Sequence, residues 1–308
     1  MLLTEHVETL IVVRIEPAEM NPIPYRPTQI VMLGTGTPMP DPDRSGPSTA
    51  IVVNDTPYLI DFGPGVVRRA AAAYRKGVTA FGEGAVNITT VFLTHLHTDH
   101  TVGYPDLIFT PWVMGRKSPL SVYGPAGLSA MTENIIKAWA VDIEARVNGR
   151  HNATGYCVKA CEIKPGVVYQ DRDVTVTAFA AHHNEMKDSF GYRFDTSGRT
   201  VVISGDTTPT QALIEHSDGC DVLIHECYSL ASYEKITPEW QEFRRTHHTS
   251  SRELAEIAMR IRPSLLILYH RSNAGGGDNN PNAEQEVIDE IRQLYQGAVV
   301  TGHDLDIF

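Results

Sequence analysis

The chain has 308 residues, 42% hydrophobic and 20% charged, the proportions of a folded globular protein rather than a disordered or fibrous one. Its formal charge of -11 offers no overall attraction to phosphate backbones or anionic membranes, so long nucleic acids are disfavoured as partners. No apolar run approaches the length of a membrane-spanning helix.

Residues 1–28 read as a lead-in, with residues 29–308 forming one domain. Glu5, Glu8 and Glu16 surround a short apolar run at 10–13, without a basic stretch or a small-residue cleavage site, and Pro22, Pro24 and Pro27 follow. Four cysteines, Cys157, Cys161, Cys220 and Cys227, are too few and too irregularly spaced for a disulfide framework. A cytoplasmic location is expected.

Strand-like runs rich in β-branched and aromatic residues begin at 29–33, which enters the turn Gly34-Thr35-Gly36-Thr37-Pro38, and continue at 49–53 and 58–60. A helix at 64–76 separates them from strands at 88–93 and 120–123. A long helix is expected at 126–146, then strands at 174–179, 200–203, 222–224 and 265–269. The helix at 251–262 has apolar Leu254, Ile257, Ala258 and Ile261 on one face. Ser250 and Glu253 supply its capping box, and Pro263 its stop. Residues 273–282, rich in Gly and Asn, read as a rim loop, and a last helix is expected at 283–295. Strand groups in both halves with helices between them predict two face-to-face sheets with helices outside.

The run Thr94-His95-Leu96-His97-Thr98-Asp99-His100 concentrates three histidines and an aspartate directly after a strand. His95 and His97, two apart on extended chain, point the same way, while Asp99 and His100 point elsewhere, so one segment can serve two metal ions. Imidazole with carboxylate suits zinc by default, and manganese or iron also fit. Further candidate ligands follow strands downstream: His182 or His183 in Ala181-His182-His183-Asn184, Asp206 in Ser204-Gly205-Asp206-Thr207, and His270 in Leu268-Tyr269-His270.

This order of motifs resembles the metallo-β-lactamase fold superfamily, and within it the ribonuclease Z and arylsulfatase-like branch, over residues 29–308. The resemblance implies an α/β four-layer αββα sandwich of two mixed β-sheets flanked by helices. It also implies two divalent metal ions: one held by His95, His97 and His183, a second by Asp99, His100 and His270, with Asp206 bridging. Asp61 in Leu59-Ile60-Asp61-Phe62-Gly63 is similar to a family aspartate that orients a ligand histidine. His248 in Thr246-His247-His248-Thr249-Ser250 resembles a histidine proposed to assist the leaving group. Glu226, after the strand at 222–224, stands where it could orient His248, and His225 is read as structural.

The resemblance and the ligand pattern together imply a dinuclear hydrolase in which a metal-bridged hydroxide attacks an ester-like bond, Asp99 accepting its hydrogen bond and His248 serving the leaving group. A small-molecule phosphodiester, aryl sulfate or lactone is the expected substrate. The alternative is ribonuclease Z-type processing of the 3' end of transfer RNA. Two features weigh against it: the -11 charge, and the short gap between His183 and Asp206, which leaves no room for a long basic arm of the kind short ribonucleases Z carry. Trp112, Met114, Trp139 and Trp240 are candidates for an aromatic and apolar wall, with core packing the expected role of Trp139. A homodimer is the expectation that goes with the resemblance.

Overall fold

Apolar residues alternating across extended chain build two sheets, and the ends of their strands carry the candidate ligands. The computed structural model describes residues 28–272 and 282–308. The lead-in expected at 1–28, apart from Thr28, and the rim loop expected at 273–282, apart from Asn282, lie outside the described residues.

The first half contains β1 (Gln29–Gly34), β2 (Ser48–Val53), β3 (Thr56–Ile60), α1 (Val66–Arg75), β4 (Thr90–Phe92), the one-turn α2 (Thr98–Thr101), α3 (Tyr104–Val113), β5 (Leu120–Gly124), α4 (Leu128–Ala138), α5 (Ala140–Gly149) and β6 (Val158–Glu162). The second contains β7 (Gly166–Gln170), β8 (Val174–Ala180), β9 (Phe190–Thr196), β10 (Thr200–Ile203), α6 (Gln211–Ser217), β11 (Val222–Tyr228), α7 (Leu230–Tyr233), α8 (Pro238–His247), α9 (Ser251–Ile261), β12 (Leu265–Ser272), α10 (Ala283–Arg292) and β13 (Val299–Thr301).

One sheet has the order β1-β2-β3-β4-β5-β6 and the other β13-β12-β11-β10-β9-β8-β7. Both are mixed. Antiparallel pairing over β1 to β3 gives way to parallel pairing over β3 to β6, and the second sheet passes likewise from antiparallel β7 to β10 into parallel β10 to β13.

Every residue of β2 and β11 is buried, as strands covered on both faces require. Ile51, Tyr58 and Phe92 meet Tyr192, Phe194 and Ile224 in the core between the sheets. Residues of the opposite parity face the helices. Val31, Leu59 and Val91 pack with apolar residues of α1 and α3, and Val202, Leu223 and Leu266 with those of α9 and α10. This is the αββα sandwich expected from the sequence. No helix among the described residues is long and apolar enough to cross a membrane.

The helix expected at 126–146 is two helices, α4 and α5. They break at Trp139, which leaves helical geometry (φ -99, ψ 14) and stacks on Phe109 at a centroid distance of 5.4 Å. With no Gly or Pro at the break, tertiary packing alone marks it. Edge strands β6 and β7 went unforeseen because they are short and largely solvated, with only partly covered apolar residues such as Val158, Ala160 and Val168. The capping box of α9 is present as expected, with Ser250 and Glu253 each satisfying the other's backbone.

The strands preceding the candidate ligands finish on one rim. The chain leaves β4 into the His95 to His100 run, β8 toward His183 and β10 toward Asp206, while β12 carries His270 itself. Binding at the carboxyl ends of parallel strands is the general outcome of such sheets.

Candidate metal centre

After β4 the chain stays extended through His97, which is the N-cap of α2 (φ -63, ψ 151), and then turns into helix at Asp99 and His100. That change of period aims the four side chains at two places. His95 Nε2 lies 2.9 Å from His97 Nδ1, and His183 Nε2 lies 3.1 Å from the same atom, so three imidazole nitrogens converge. A second convergence involves His270 Nε2, 3.1 Å from Asp99 Oδ2, and His100 Nε2, 3.5 Å from that oxygen.

Asp206 stands between the groups. Its Oδ1 is 3.5 Å from His100 Nε2, and its Oδ2 is 3.5 Å from His270 Nε2, 3.9 Å from His183 Nε2 and 4.0 Å from His95 Nε2. The seven candidate ligands expected from the sequence are thus brought together. His183 is buried and its Nε2 joins the convergence, whereas its neighbour His182 is exposed.

The chemistry of this donor set fits divalent cations. His95, His97 and His183 form one group with metal-binding spacing, and Asp99, His100 and His270 another. Two of the buried donor atoms, His100 Nε2 and Asp206 Oδ1, have no hydrogen-bond partner, a costly arrangement for polar atoms that a cation between them would relieve.

Neighbouring groups fix the rings. Asp61 Oδ2 lies 2.8 Å from His100 Nδ1, while the Asp61 carboxylate accepts from the Thr94 backbone N–H at 2.8 Å and the Thr94 hydroxyl at 2.9 Å. Asp61 therefore occupies the orienting position that the sequence resemblance implied for it. His183 Nδ1 donates to the His247 carbonyl at 2.8 Å. Two of these residues sit in strained backbone: Asp61 at φ 59 and His270 at φ 42. His270 is the extra residue of a bulge, since Glu226 pairs with Tyr269 but Cys227 with Arg271. The bulge turns its imidazole into the site.

Close backbone packing supports the same loop. A Cβ on Gly63 would lie 2.5 Å from the Asp99 carbonyl oxygen and 2.4 Å from the Gly46 carbonyl carbon, so only glycine fits there. Burial, with the His100 charge added, holds His95 well below the usual histidine range, and burial lowers His183 to about 4. Around His100 burial works against charge, but Asp206, Asp61 and Asp99 together raise it well above.

Glu226 and His248 form a third face. Glu226 is fully buried, and its Oε1 accepts from the backbone N–H groups of Thr207 (3.3 Å) and Thr249 (3.1 Å). His248 Nδ1 lies 3.3 Å from that same oxygen. Burial, reinforced by Asp206, raises the Glu226 carboxyl well above its ordinary range, and burial lowers His248 to about 3. The His248 ring is 5.2 Å from that of His183 and 6.1 Å from that of His270. His225 takes no part in these groups: its Nδ1 donates to the Glu226 carbonyl at 2.6 Å.

The candidate wall of Trp112, Met114 and Trp240 does not form. Trp112 is buried with its Nε1 donating to the Asn152 carbonyl, Trp139 lies on Phe109, and Met114 packs by Gly84. Trp240 alone stands on a helix that leads to the centre. A cleft of about 680 Å³ opens beside Asp99, lined by the loop from Thr37 to Gly46 with Pro64 and Val102. Asp304 holds that loop from the far end of the chain, accepting from Thr35 and Ser45 backbone N–H groups at 2.9 and 2.8 Å. No local signal in the sequence marks this long-range contact.

The family described as Beta-lactamase superfamily domain matches residues 56–271. A protein of Mycobacterium bovis named Ribonuclease Z is 32% identical over 283 residues, covering 90% of this chain and 96% of that protein. One of Mycolicibacterium gilvum with the same name is 32% identical over 246 residues, covering 79% and 83%. Among solved structures, the metallo-β-lactamase fold protein YhfI from Bacillus subtilis aligns with a TM-score of 0.67 at 19% identity, over 92% of this chain and 99% of its own. The short form of human tRNase Z aligns at 0.62 and 21% identity, over 91% and 98%. At these identities the structural likeness speaks to the fold alone. This chain belongs to the metallo-β-lactamase superfamily of hydrolases, in the family of its ribonuclease Z relatives. That fold implies divalent metal ions, and the converging His and Asp side chains are where this chain has room to hold them.

Proposed function

We propose that this chain is a metal-dependent phosphodiesterase of the ribonuclease Z kind, cleaving precursor transfer RNA on its 3' side. The observation that carries this reading is the 32% identity to a protein named Ribonuclease Z across 90% of the chain. The small-molecule substrate first expected from the sequence gives way here. The short gap after His183 loses its weight against transfer RNA, because the aligned region spans 96% of that relative and leaves it little length for an extra arm. The charge of -11 still favours a small ester, which makes a small phosphodiester the competing reading.

In this reading His95, His97 and His183 would hold one divalent ion, Asp99, His100 and His270 a second, and Asp206 would lie between them. Zinc is the proposed metal, with manganese or iron compatible with the same donors. When bound, such ions supply Lewis-acid polarisation of a phosphoryl oxygen and activation of water near neutral pH. Asp99 accepts a hydrogen bond from the attacking water and so orients it. A bond forms between the water oxygen and phosphorus as the water's proton passes to Asp99, and the bond to the leaving ribose oxygen breaks as neutral His248 gives that oxygen its Nε2 proton and takes one at Nδ1 from the Glu226 carboxyl, which burial keeps protonated. Glu226, anchored by the Thr207 and Thr249 amides, faces His248 Nδ1 and leaves Nε2 as the atom that delivers the proton.

A substrate panel tests this. Protein loaded with zinc or manganese is offered precursor transfer RNA, bis-p-nitrophenyl phosphate, p-nitrophenyl sulfate and an acyl lactone. Cleavage of the RNA that stops on chelation is expected. Turnover of the sulfate or lactone without RNA cleavage would replace the phosphodiesterase reading, and turnover of the small phosphodiester alone would select the competing one. Sedimentation of the same samples tests the proposed homodimer.

A further inference from the structure

Trp240 and Phe243, which the proposed cleavage chemistry does not use, stand in line with the candidate metal centre. One turn apart on α8, their rings meet edge to face at a centroid distance of 5.4 Å. Four residues on, His247 stacks on Phe243 at 3.9 Å, and its ring lies 5.2 Å from that of His183. Spacings of three and four keep these side chains on one helix face. A ladder of rings therefore descends from solvent to the first ligand group, and Phe243 also lies 6.1 Å from the ring of His248.

The upper rungs of this ladder are uncovered. Trp240 is 57% exposed and Phe243 39%, whereas Trp112 is fully buried; Trp139, 41% exposed, stacks on Phe109 and belongs to no ladder that reaches the ligand groups. Large aromatic side chains left in water beside a site mark a surface for interaction. The last turn of α8 adds Arg244, whose guanidinium lies 5.9 Å from the Tyr228 ring centroid, and Arg245, which pairs with Glu242. With both arginines already engaged, the exposed aromatic pair is the part of this helix that offers a face to a base.

We propose that Trp240 and Phe243 form the stacking surface for the base of the ribonucleotide that carries the leaving oxygen. This rests on the phosphodiesterase reading and names the nucleotide that α8 receives. His248, the proton source for the leaving oxygen in that reading, directly follows α8, so the nucleotide attached to that oxygen lies against this helix. The nucleotide bearing the scissile phosphoryl group lies on the other side. Stacking of this kind accepts any base, since every base presents a π-face.

The test compares wild type, Trp240→Ala, Trp240→Phe and Phe243→Ala, all zinc-loaded, on three precursor transfer RNAs. One is intact, one is abasic at the nucleotide carrying the leaving oxygen, and one is abasic at the nucleotide bearing the scissile phosphate. Trp240→Ala is expected to lower kcat/KM on the intact RNA and on the RNA abasic at the phosphate side by about 5- to 100-fold. On the RNA abasic at the leaving side it should change little, and Trp240→Phe should recover most of the loss. RNA affinity of metal-stripped protein should follow the same pattern. An equal loss on all three RNAs, no loss at all, or a loss relieved only by the abasic site on the phosphate side would overturn the proposal. An equal loss with a changed sedimentation coefficient would assign the pair to contact between copies of the chain instead. Failure of the wild type to cleave any RNA is a separate outcome, which removes the phosphodiesterase reading and this inference with it. Because Trp240 is mostly exposed, its variants keep the test clear of the folding effects that truncating Phe243 could bring.

Discussion

The two sheets furnish the candidate metal centre in different ways. The first delivers His95, His97, Asp99 and His100 from one continuous run after β4, fixed locally by the turn into α2 and by Asp61. The second delivers His183, Asp206 and His270 from three separate strand ends, so their convergence depends on the register of β8, β10, β11 and β12. One contribution is set by local backbone geometry, the other by packing. Asp206 sits where they meet, within 4.0 Å of nitrogens belonging to both groups. The site is therefore expected to fail differently according to which side is damaged.

Removing the residue common to both sides should have the largest effect. Asp206→Ala should lower RNA cleavage by more than the roughly 10⁴-fold upper range for loss of a proton donor, and bound metal measured by atomic emission should fall with it. Retention of all bound metal would show that Asp206 does not bridge. His248→Ala comes next, with an expected loss of about 10²- to 10⁴-fold in kcat and metal content unchanged. Unaltered turnover of every substrate would remove His248 from the mechanism.

Asp61→Asn tests the local side alone. It keeps the shape but weakens the partner of His100 Nδ1, and should reduce metal affinity about 10- to 100-fold, read by competition with a chromogenic chelator. Equal affinity to wild type would mean that α2 holds His100 without help. The smallest effect is expected from Ser250→Ala, which removes the capping box of α9 without touching a ligand, at about 1 kcal/mol of stability. A fall in melting temperature of about 2–4 °C with ordinary metal content would keep the packing of the second sheet distinct from its chemistry.

The same contrast decides what could be read from the sequence. The run from His95 to His100 was legible because its ligands are dense and the change from extended to helical period is local. His183 was not separable from His182 by pattern, since adjacent residues on extended chain simply face opposite ways and only the packing shows which side is inside. The position of His270 after an apolar strand was visible, but the bulge that rotates it inward, at φ 42, was not. The layered architecture followed from the strand runs, while the break at Trp139 and the edge strands β6 and β7 depend on neighbours that no local window contains. Trp139 packs on Phe109 as expected, whereas Trp112, an open candidate for a substrate wall, is a packing residue, because aromatic content alone does not tell which face of an element meets the site.

The most direct measurement is a titration of zinc into fully stripped protein, with cleavage of precursor transfer RNA followed at each addition. Activity absent at the start and rising to a plateau near about two equivalents of zinc is the expected result. Full cleavage by the stripped protein, or no RNA cleavage at any zinc content, would contradict the metal-dependent phosphodiesterase reading.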